Sequence, residues 1–222
     1  ATLCFNSTAT LTRISDATGG ADDSFTYQWQ ESSDGVTFAD ISGATAASYT
    51  TPSLQSARWY RIVASSVMGC GSVASTATKV DVYPDLTISN STASPLCYMT
   101  SGSISVTASG AGGSYIYQWQ ESSDGVSFAD ITSANSSSYT IPGKSAGSYY
   151  YRVLVAPTYG CSSKFSEVFT VPVYEDLVPG VISGVDTVCY NNQPAALSQT
   201  TLPTGGNNTF TYQWQSKTTG AW

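Results

Sequence analysis

The chain has 222 residues, a formal net charge of −7 and no histidine. A pI near 4.2 argues against nucleic-acid binding, because phosphate contacts need clustered lysine and arginine. The absence of histidine excludes Ser-His-Asp and Cys-His catalysis and histidine-ligated zinc. Aromatic residues make up 12% of the chain, which favours a folded protein, and the many Thr, Val, Tyr and Gly residues favour an all-β fold.

The first 84 residues contain short segments in which apolar and polar side chains alternate, as in half-buried strands. In one of them Phe25, Tyr27 and Trp29 share a face, so Trp29 is predicted to be buried. The pair Asp34-Gly35 tolerates positive φ and predicts a tight hairpin, while Tyr60 is expected near a tyrosine corner. The predicted strands are Thr8–Ile14, Phe25–Glu31, Thr37–Ile41, Ser48–Thr51, Trp59–Ala64 and Thr78–Tyr83.

The same pattern then returns at an interval of about 91 residues. The block Tyr27–Ile41 recurs at Tyr117–Ile131 with fourteen of fifteen positions identical, and its opening residues recur at Thr211–Gln215. A unit of this length, made of short strands without helical periodicity, has the size of an immunoglobulin-like sandwich. The sequence therefore predicts tandem immunoglobulin-like β-sandwich domains in an extended array.

Two matching junctions, Val80–Leu86 and Val171–Leu177, set the predicted domain boundaries. They give a first domain at 1–84 with most of its leading strand missing, a second at 85–175, and the N-terminal half of a third at 176–222. We expect a segment of a longer array, because half a sandwich would leave an apolar face uncovered. The predicted core residues are Trp29, Trp119, Trp214, Tyr60 and Tyr151.

The segments Trp29–Phe38, Ile41–Thr45 and Ser48–Thr50, with Tyr60-Arg61 and Gly69-Cys70, resemble the immunoglobulin-like repeats of Bacteroidetes surface proteins. Such repeats occur in long adhesins and in exoproteins of the type IX secretion pathway, including proteins associated with gliding motility. The resemblance covers nearly the whole chain and is specific for the domain family. It implies an extracellular location at the bacterial cell surface and a role as a spacer or a binding surface.

The five cysteines recur with the repeat, which predicts disulfides formed in an oxidising compartment. One scheme pairs cysteines within units, as Cys4–Cys70 and Cys97–Cys161. The other pairs Cys4 with Cys161 across the junction, and Cys97 with a cysteine beyond Trp222, while Cys189 belongs to the third unit. The two ends of a sandwich lie about 25 Å apart, too far for a bond whose Cα atoms lie about 4.4–6.8 Å apart. Both schemes stay open, because a different assignment of the first strands permits the within-unit pairs.

Paired carboxylates offer a possible glycosidase site at Glu31, Asp34 and Asp40 and at their copies in the second unit. They flank a predicted surface turn and recur along the array, so we interpret them as a solvated turn. No catalytic residue is predicted, and we do not expect an enzyme. The copies are Glu121, Asp124 and Asp130.

Carboxylates in loops are the remaining candidates for a ligand site. Asp22-Asp23, Asp85 and Glu175-Asp176 could bind Ca²⁺ through oxygen ligands, but no EF-hand pattern is present. We therefore expect no cofactor and no metal, with calcium as the minor alternative. Asp186-Thr187-Val188 resembles the O-glycosylation motif of exported Bacteroidetes proteins, which implies Thr187 as the acceptor.

The sequence favours a non-enzymatic stalk or spacer of a bacterial cell-surface adhesin or filament that supports adhesion or gliding. Its expected partners are neighbouring repeats of a longer chain, with surface glycans and outer-membrane export or anchoring machinery as further candidates. No apolar run reaches the roughly 18 residues of a membrane-spanning helix. The alternative is a module that binds glycans or another surface, accessory to a secreted hydrolase, in which exposed aromatic rings stack on sugars. The candidate rings are Tyr49, Tyr139, Trp59 and Tyr150.

Overall fold

The computed structural model describes residues 2–19, 24–184 and 187–216. Across these residues the chain forms twenty strands and no helix, which confirms the all-β prediction. Consequently none of the described residues belongs to a helix with the length and apolarity needed to span a bilayer.

The first repeat distributes its strands between two sheets. One sheet has the order β1-β8-β6-β3-β4, with β7 also paired to β6, and the other pairs β2 with β5. Strand β1 runs parallel to β8, whereas β3 and β6 are antiparallel and place Trp29 opposite Ile62. This is the strand distribution of an immunoglobulin-like sandwich. The strands are β1 (Thr2–Leu3), β2 (Thr10–Thr12), β3 (Phe25–Ser32), β4 (Ala39–Asp40), β5 (Ser48–Thr50), β6 (Arg58–Ser66), β7 (Ser72–Ala74) and β8 (Thr78–Val82).

The second repeat has the same arrangement and also eight strands, with β9 added beside β10 and no counterpart of β1. Its sheets have the orders β13-β10-β9 and β12-β11-β14-β15, and β16 also pairs with β14. A parallel bridge between Leu96 and Val173 takes the place of the β1–β8 pair of the first repeat. The strands are β9 (Thr87–Asn90), β10 (Gly102–Ser109), β11 (Tyr115–Ser122), β12 (Ala129–Asp130), β13 (Ser138–Ile141), β14 (Gly147–Pro157), β15 (Lys164–Phe165) and β16 (Phe169–Val173).

The remaining described residues form two short antiparallel pairs, β17 with β20 and β18 with β19. Trp214, which was predicted to be a core residue, is 56% exposed, and the described residues next to it, 211–216, form no strand. In the first repeat, by contrast, the Tyr49 ring lies beside Trp29, and the Tyr60 ring lies beside Tyr49. The strands are β17 (Glu175–Val178), β18 (Val181–Ser183), β19 (Ser198–Thr201) and β20 (Thr204–Gly206).

Each core is centred on a tryptophan of the repeated block. Trp29 and Trp119 are buried, and their indole N–H groups donate to the carbonyls of Ala46 and Ser136 at 3.0 and 2.8 Å. Buried tryptophan is favourable when its single polar group is paired in this way.

The predicted core tyrosines Tyr60 and Tyr151 are also buried, but neither makes the hydrogen bond of a tyrosine corner. Among the described residues their hydroxyls have no hydrogen-bond partner. Burial and, second, the nearby Glu31 carboxylate raise the pKa of Tyr60 to about 12. These side chains therefore act as core rings in this fold.

Contacts divide the chain into two units that do not coincide with the sequence repeats. The first unit comprises Ala1–Ser89, Ala108–Tyr117 and Leu154–Phe165. The second comprises Asn90–Thr107, Gln118–Val153 and Ser166–Trp222. The domain boundaries proposed from the repeats therefore remain a prediction.

Candidate functional site

Residues of the repeated block around Trp29 make hydrogen bonds that hold β3 to the segment after β4. The Gln28 amide donates to the carbonyls of Trp29 and Ile41 at 2.8 and 2.6 Å, and Ile41 N–H donates to Trp29 at 2.9 Å. In the second repeat the Gln118 amide makes the equivalent bonds, both at 2.9 Å. This part of the block therefore fixes local backbone geometry.

A second group in the block connects strands β4, β3 and β6. The Gln30 side-chain amide N–H donates to Asp40 at 2.7 Å, and Arg61 Nε donates to the Gln30 side-chain oxygen Oε1 at 2.7 Å. The Arg61 guanidinium also lies 4.1 Å from the centre of the Phe38 ring, within the range of a cation–π contact. The same contacts recur in the second repeat through Gln120, Asp130, Arg152 and Phe128.

The turn after β3 is wider than the tight hairpin predicted from Asp34-Gly35. The strands pair through Gln30–Asp40 and Glu31–Ala39, which leaves a loop between Ser32 and Ala39. The Ser32 hydroxyl donates to Asp34 at 2.7 Å and accepts from Gly35 N–H at 2.9 Å. A buried serine at the end of β3 therefore organises the loop, and the sequence analysis assigned it no role.

The Asp34 carboxylate is the acceptor that closes this loop. It accepts from the backbone N–H groups of Val36 and Thr37, both at 2.8 Å. Hydrogen bonds from Thr37, Val36 and Ser32 lower the pKa of Asp34 to about 2, and those from Ser127, Val126 and Ser122 do the same for the pKa of Asp124. A general acid needs a raised pKa, so these carboxylates are unsuited to that role.

The other candidate carboxylates also have contacts that stabilise the structure. Asp40 and Asp130 accept from glutamine amides, and Lys144 Nζ lies 3.1 Å from a carboxylate oxygen of Glu121. Glu31 lies opposite Tyr60 in the β3–β6 pairing. The contacts of the block therefore support the interpretation of a structural turn.

The aromatic candidates for sugar stacking are packed against protein. Tyr49 lies between Trp29 and Tyr60, with ring centres 6.2 and 6.1 Å away, and Tyr139 has the same place beside Trp119 and Tyr151. Trp59 lies over Gly35, and Tyr150 lies over Gly125. All four rings are half-buried, so they do not form an exposed row.

A disulfide joins Cys4 to Cys161, with an S–S distance of 2.06 Å and a Cα–Cα distance of 5.4 Å. Both cysteines belong to the first contact unit, although they come from different sequence repeats. The within-unit pairs Cys4–Cys70 and Cys97–Cys161 are absent, and Cys70, Cys97 and Cys189 are free and exposed in the described structure. The pairing therefore matches the scheme that crosses the repeat junction.

The cysteine near the start of each repeat lies in the same backbone turn. Its carbonyl accepts a hydrogen bond from the N–H three residues later, and the residue two positions later has positive φ, in the left-handed region. The donors are Ser7, Thr100 and Asn192, at 3.1, 3.1 and 2.9 Å, and the left-handed residues are Asn6, Met99 and Asn191.

The other cysteine of each complete repeat follows a glycine that ends the turn after the long strand β6 or β14. Gly69 and Gly160 have φ of 78° and 79°, and their N–H groups donate to Ser66 and Pro157 at 3.2 and 3.4 Å. Cys70 is therefore presented by the same kind of turn that presents Cys161. The free cysteines retain the backbone geometry of the bonded pair.

The residues that follow β8 also make defined contacts within the first unit. Lys164 Nζ lies 2.8 Å from Asp85, and Ala111 N–H donates to Pro84 at 2.8 Å. The tyrosine rings of Tyr83 and Tyr159 lie 5.6 Å apart. The sequence analysis did not predict these contacts, although one partner of each contact lies in the repeated junction Val80–Leu86.

A glycine at each junction makes a close backbone contact. A Cβ atom at Gly110 would collide with the carbonyl oxygen of Asp85 in the first unit, and one at Gly205 would collide with that of Asp176 in the second. The glycines have φ of 89° and 87°. The same approach of backbone to backbone is thus used twice, which only glycine permits.

Metal binding has no support among the residues that the structure describes, since they contain no group of three or more potential metal ligands. Asp85 pairs with Lys164, and Asp176 accepts from Leu177 N–H at 2.9 Å. The candidates Asp22 and Asp23 lie outside the described residues. Thr187 is exposed, while Asp186 of its proposed glycosylation motif lies outside the described residues.

The strand pairing and the two tryptophan-centred cores define tandem immunoglobulin-like β-sandwich domains. The chain belongs to the family described as "Domain of unknown function (DUF8696)", whose model matches residues 1–84 and 86–175. No curated protein matches the chain.

Two solved structures are similar to the chain at low sequence identity. Immunoglobulin domains 1–4 of Sidekick-1 share 16% identity over 82% of this chain, with a TM-score of 0.36. The match covers 48% of the Sidekick-1 chain, so this protein spans about half of its length. A marsupial T cell receptor shares 13% identity over 83% of this chain and 75% of its own, with a TM-score of 0.46. Neither likeness bears on function.

Proposed function

We propose that the chain is a non-enzymatic spacer in which consecutive immunoglobulin-like repeats are joined by disulfides. The observation that carries this proposal is the Cys4–Cys161 bond, whose cysteines are 157 positions apart in the sequence. A bond from the start of the first repeat to a late turn of the second encloses most of both repeats in one covalent loop. Tension applied at the chain ends then passes through the bond and bypasses the enclosed strands.

The free cysteines extend the same connection along an array. Cys97 and Cys189 lie in the turn that presents Cys4, and Cys70 lies in the turn that presents Cys161. We expect Cys97 to bond the glycine-cysteine turn of a following repeat, and Cys70 to bond the first cysteine of a preceding one. The partners of this chain would then be neighbouring repeats of a longer polypeptide.

The cellular setting is part of the proposal. Stable disulfides form in oxidising compartments, and the sequence resembles repeats of Bacteroidetes surface proteins exported by the type IX pathway. A bacterial cell-surface adhesin or filament that supports adhesion or gliding fits both observations. In such a protein the spacer holds a distal binding region away from the cell while its bonds resist shear.

Force spectroscopy on the chain held at its two ends tests the mechanical role. With the disulfide intact, unfolding releases only residues outside the bonded loop. Reduction should release a further contour length of roughly 550 Å, because the 157-residue separation extends at about 3.5 Å per residue. The Cys4→Ser variant should behave as the reduced chain, while the matched Cys70→Ser control should behave as the oxidised one. Equal contour lengths in oxidised and reduced chains would refute the proposal.

A binding module is the second candidate, and it is supported by one repeated surface feature. Val36 and Val126 occupy the same position of the same turn and are 81% and 80% exposed. Repeated identical contacts permit multivalent binding in an array. Binding to a glycan array or to a cell surface should fall when both valines are changed to serine, with Val67→Ser as a control at another exposed valine. Unchanged binding of the double variant, or no binding by the original chain, would contradict this role.

A further inference from the structure

The first repeat has an open sheet edge where the second repeat has a strand. In the second repeat β10 is flanked by β13 on one side and β9 on the other, whereas in the first repeat β2 pairs only with β5 among the described strands. Unpaired strand edges present backbone donors and acceptors that can bind another strand.

The register identifies the backbone groups at this edge. Ala9 accepts from Thr51 N–H and Arg13 N–H donates to Ala47, so the odd-numbered residues of this segment bond toward β5. Because backbone groups alternate in direction along a strand, those of Thr12 and Ile14 point to the opposite edge.

The second repeat shows how the equivalent edge is used. Leu11 pairs with Tyr49, and Ile104 pairs with Tyr139, which makes Ser105 the counterpart of Thr12. The Ser105 carbonyl accepts from Ser91 N–H at 2.8 Å, at the end of β9. The Thr12 edge is therefore the position at which a leading strand would pair.

A groove of about 390 Å³ lies along this edge of the first repeat. In the second repeat the equivalent place is filled by β9 and its neighbours. Leu86 is 3% exposed, and the Asn90 amide donates to the carbonyl of Glu167, the counterpart of Thr76, at 2.9 Å. The groove is lined by Thr12, Arg13, Trp29, Ile62, Thr76 and Thr78, among others.

The side chains that line the groove differ in size and polarity from the side chains at the equivalent positions of the second repeat. Phe169 lies 5.7 Å from Trp119 and pairs with Tyr151, but Thr78 pairs with Tyr60 at the same position of the first repeat. The smaller threonine leaves space beside Trp29. An occupant that fills this space needs a larger apolar side chain than those of β9.

The polar wall is supplied by Arg13, the counterpart of the buried Val106. Its guanidinium lies 3.6 Å from the centre of the Tyr27 ring and 2.7 Å from the Asp16 carboxylate. These contacts hold the arginine against β3. The opening beside it remains available for a strand.

The chain also enters both repeats in the same way. Tyr83 N–H donates to the Leu3 carbonyl at 2.8 Å, and Tyr174 N–H donates to the Leu96 carbonyl at 2.9 Å. Each leucine is followed by the cysteine turn described above. A segment that precedes Leu3 would therefore reach the first repeat at the same position at which the segment between β9 and Leu96 reaches the second.

We propose that the groove of the first repeat accepts a leading strand of the same polypeptide, which carries a large apolar side chain that packs on Trp29. The strand pairs antiparallel with Thr12 and Ile14, as β9 pairs with β10. Its alternate side chains enter the groove, and an aromatic ring takes the space that Phe169 fills in the second repeat. This inference does not depend on the spacer function.

Chains extended at the N-terminus test the proposal directly. One extension copies residues 84–95 ahead of Leu3, a second carries Ile88→Phe in that copy, and a third is a control with prolines at alternate positions, which cannot pair. We expect amide exchange at Thr12 and Ile14 to slow at least tenfold with the first two extensions and not with the third. The phenylalanine extension should raise the unfolding midpoint by several degrees more than the plain copy.

A substitution in the groove distinguishes the backbone pairing of the added strand from the packing of its side chain. Thr78→Phe fills the space from within, so it should remove the advantage of the phenylalanine extension while the plain copy still protects Thr12. Extensions that protect neither residue would overturn the proposal. Protection that instead grows with protein concentration in the unextended chain, together with a dimer mass, would assign the groove to a second copy and would also overturn it.

Discussion

The two complete repeats share a nearly identical block but differ in the core packed against it. The block makes the same hydrogen bonds in both, from the Gln28 and Gln118 amides to the Asp34 and Asp124 turns. In the second repeat Trp119 and three valines are fully or almost fully buried, while Trp29 of the first repeat borders a groove. The identical sequence of the block therefore determines the local geometry, whereas residues outside the block determine how stable each repeat is.

The difference is concentrated at three equivalent positions. Phe169, Val106 and Val155 of the second repeat correspond to Thr78, Arg13 and Ala64 of the first, and each of the three is buried. Each exchange removes apolar volume or adds charge in the first repeat. Because burial of apolar surface stabilises a fold by about 25 cal/mol per Å², the second repeat should be the more stable one.

The largest expected effect comes from making the second repeat resemble the first. Phe169→Thr should destabilise it by about 3–4 kcal/mol, because it removes the ring that covers Trp119 and leaves a cavity. The reverse change, Thr78→Phe, should stabilise the first repeat by about 1 kcal/mol through filling of its groove.

Hydrogen exchange read separately in β3 and β11 measures both changes, since two repeats need not unfold as one two-state system. Thr170→Ser, at an exposed position of β16, serves as the control. If Phe169→Thr accelerated exchange equally in both strands, the assignment of this ring to one core would be wrong.

A smaller difference is expected at the glycine of the shared turn. Gly35 and Gly125 have φ of 76° and 73°, so alanine should cost about 1 kcal/mol at either position. The cost should be greater at Gly35, where a Cβ atom would lie 3.0 Å from the Trp59 ring, than at Gly125, where it would lie 3.4 Å from Tyr150. Thermal unfolding of the two alanine variants checks this order, and a greater loss for Gly125→Ala would contradict it.

The smallest effect is expected from the turn carboxylates, which act alike in both repeats. Their pKa of about 2 lies below the ordinary value of 3.8, so their stabilising effect is present above about pH 4 and is lost as the pH falls toward 2. The variants Asp34→Asn and Asp124→Asn should each weaken this dependence by the same amount. Native-state NMR titration measures the pKa values directly, and values near 3.8 would show that the hydrogen bonds do not form.

Alternation and spacing allowed part of this structure to be predicted. The alternation in Phe25–Glu31 indicated the burial of Trp29. The estimated length of a sandwich spoke against bonds within a unit, so Cys4–Cys161 was one of the two schemes that stayed open. The shape of the turn was beyond such reasoning, because it depends on the Ser32 hydroxyl folding back onto Asp34 and Gly35.

Other features depend on residues that are distant in the chain. Trp214 is 56% exposed although its local sequence matches that around Trp29, because burial depends on distant side chains and not on local alternation. The repeat offset aligns Thr78 with Phe169, but it does not show that both positions lie beside the buried tryptophan of their repeat. The groove depends on that proximity. Sequence patterns therefore predicted elements and their inward faces better than the filling of each core.

The pairing of the cysteines is the central claim, and peptide mapping of the oxidised chain without reduction tests it most directly. The account predicts a cross-linked peptide that contains Cys4 and Cys161, together with alkylation of Cys70, Cys97 and Cys189 in the native protein. Cross-linked peptides that join Cys4 to Cys70, or Cys97 to Cys161, would contradict it.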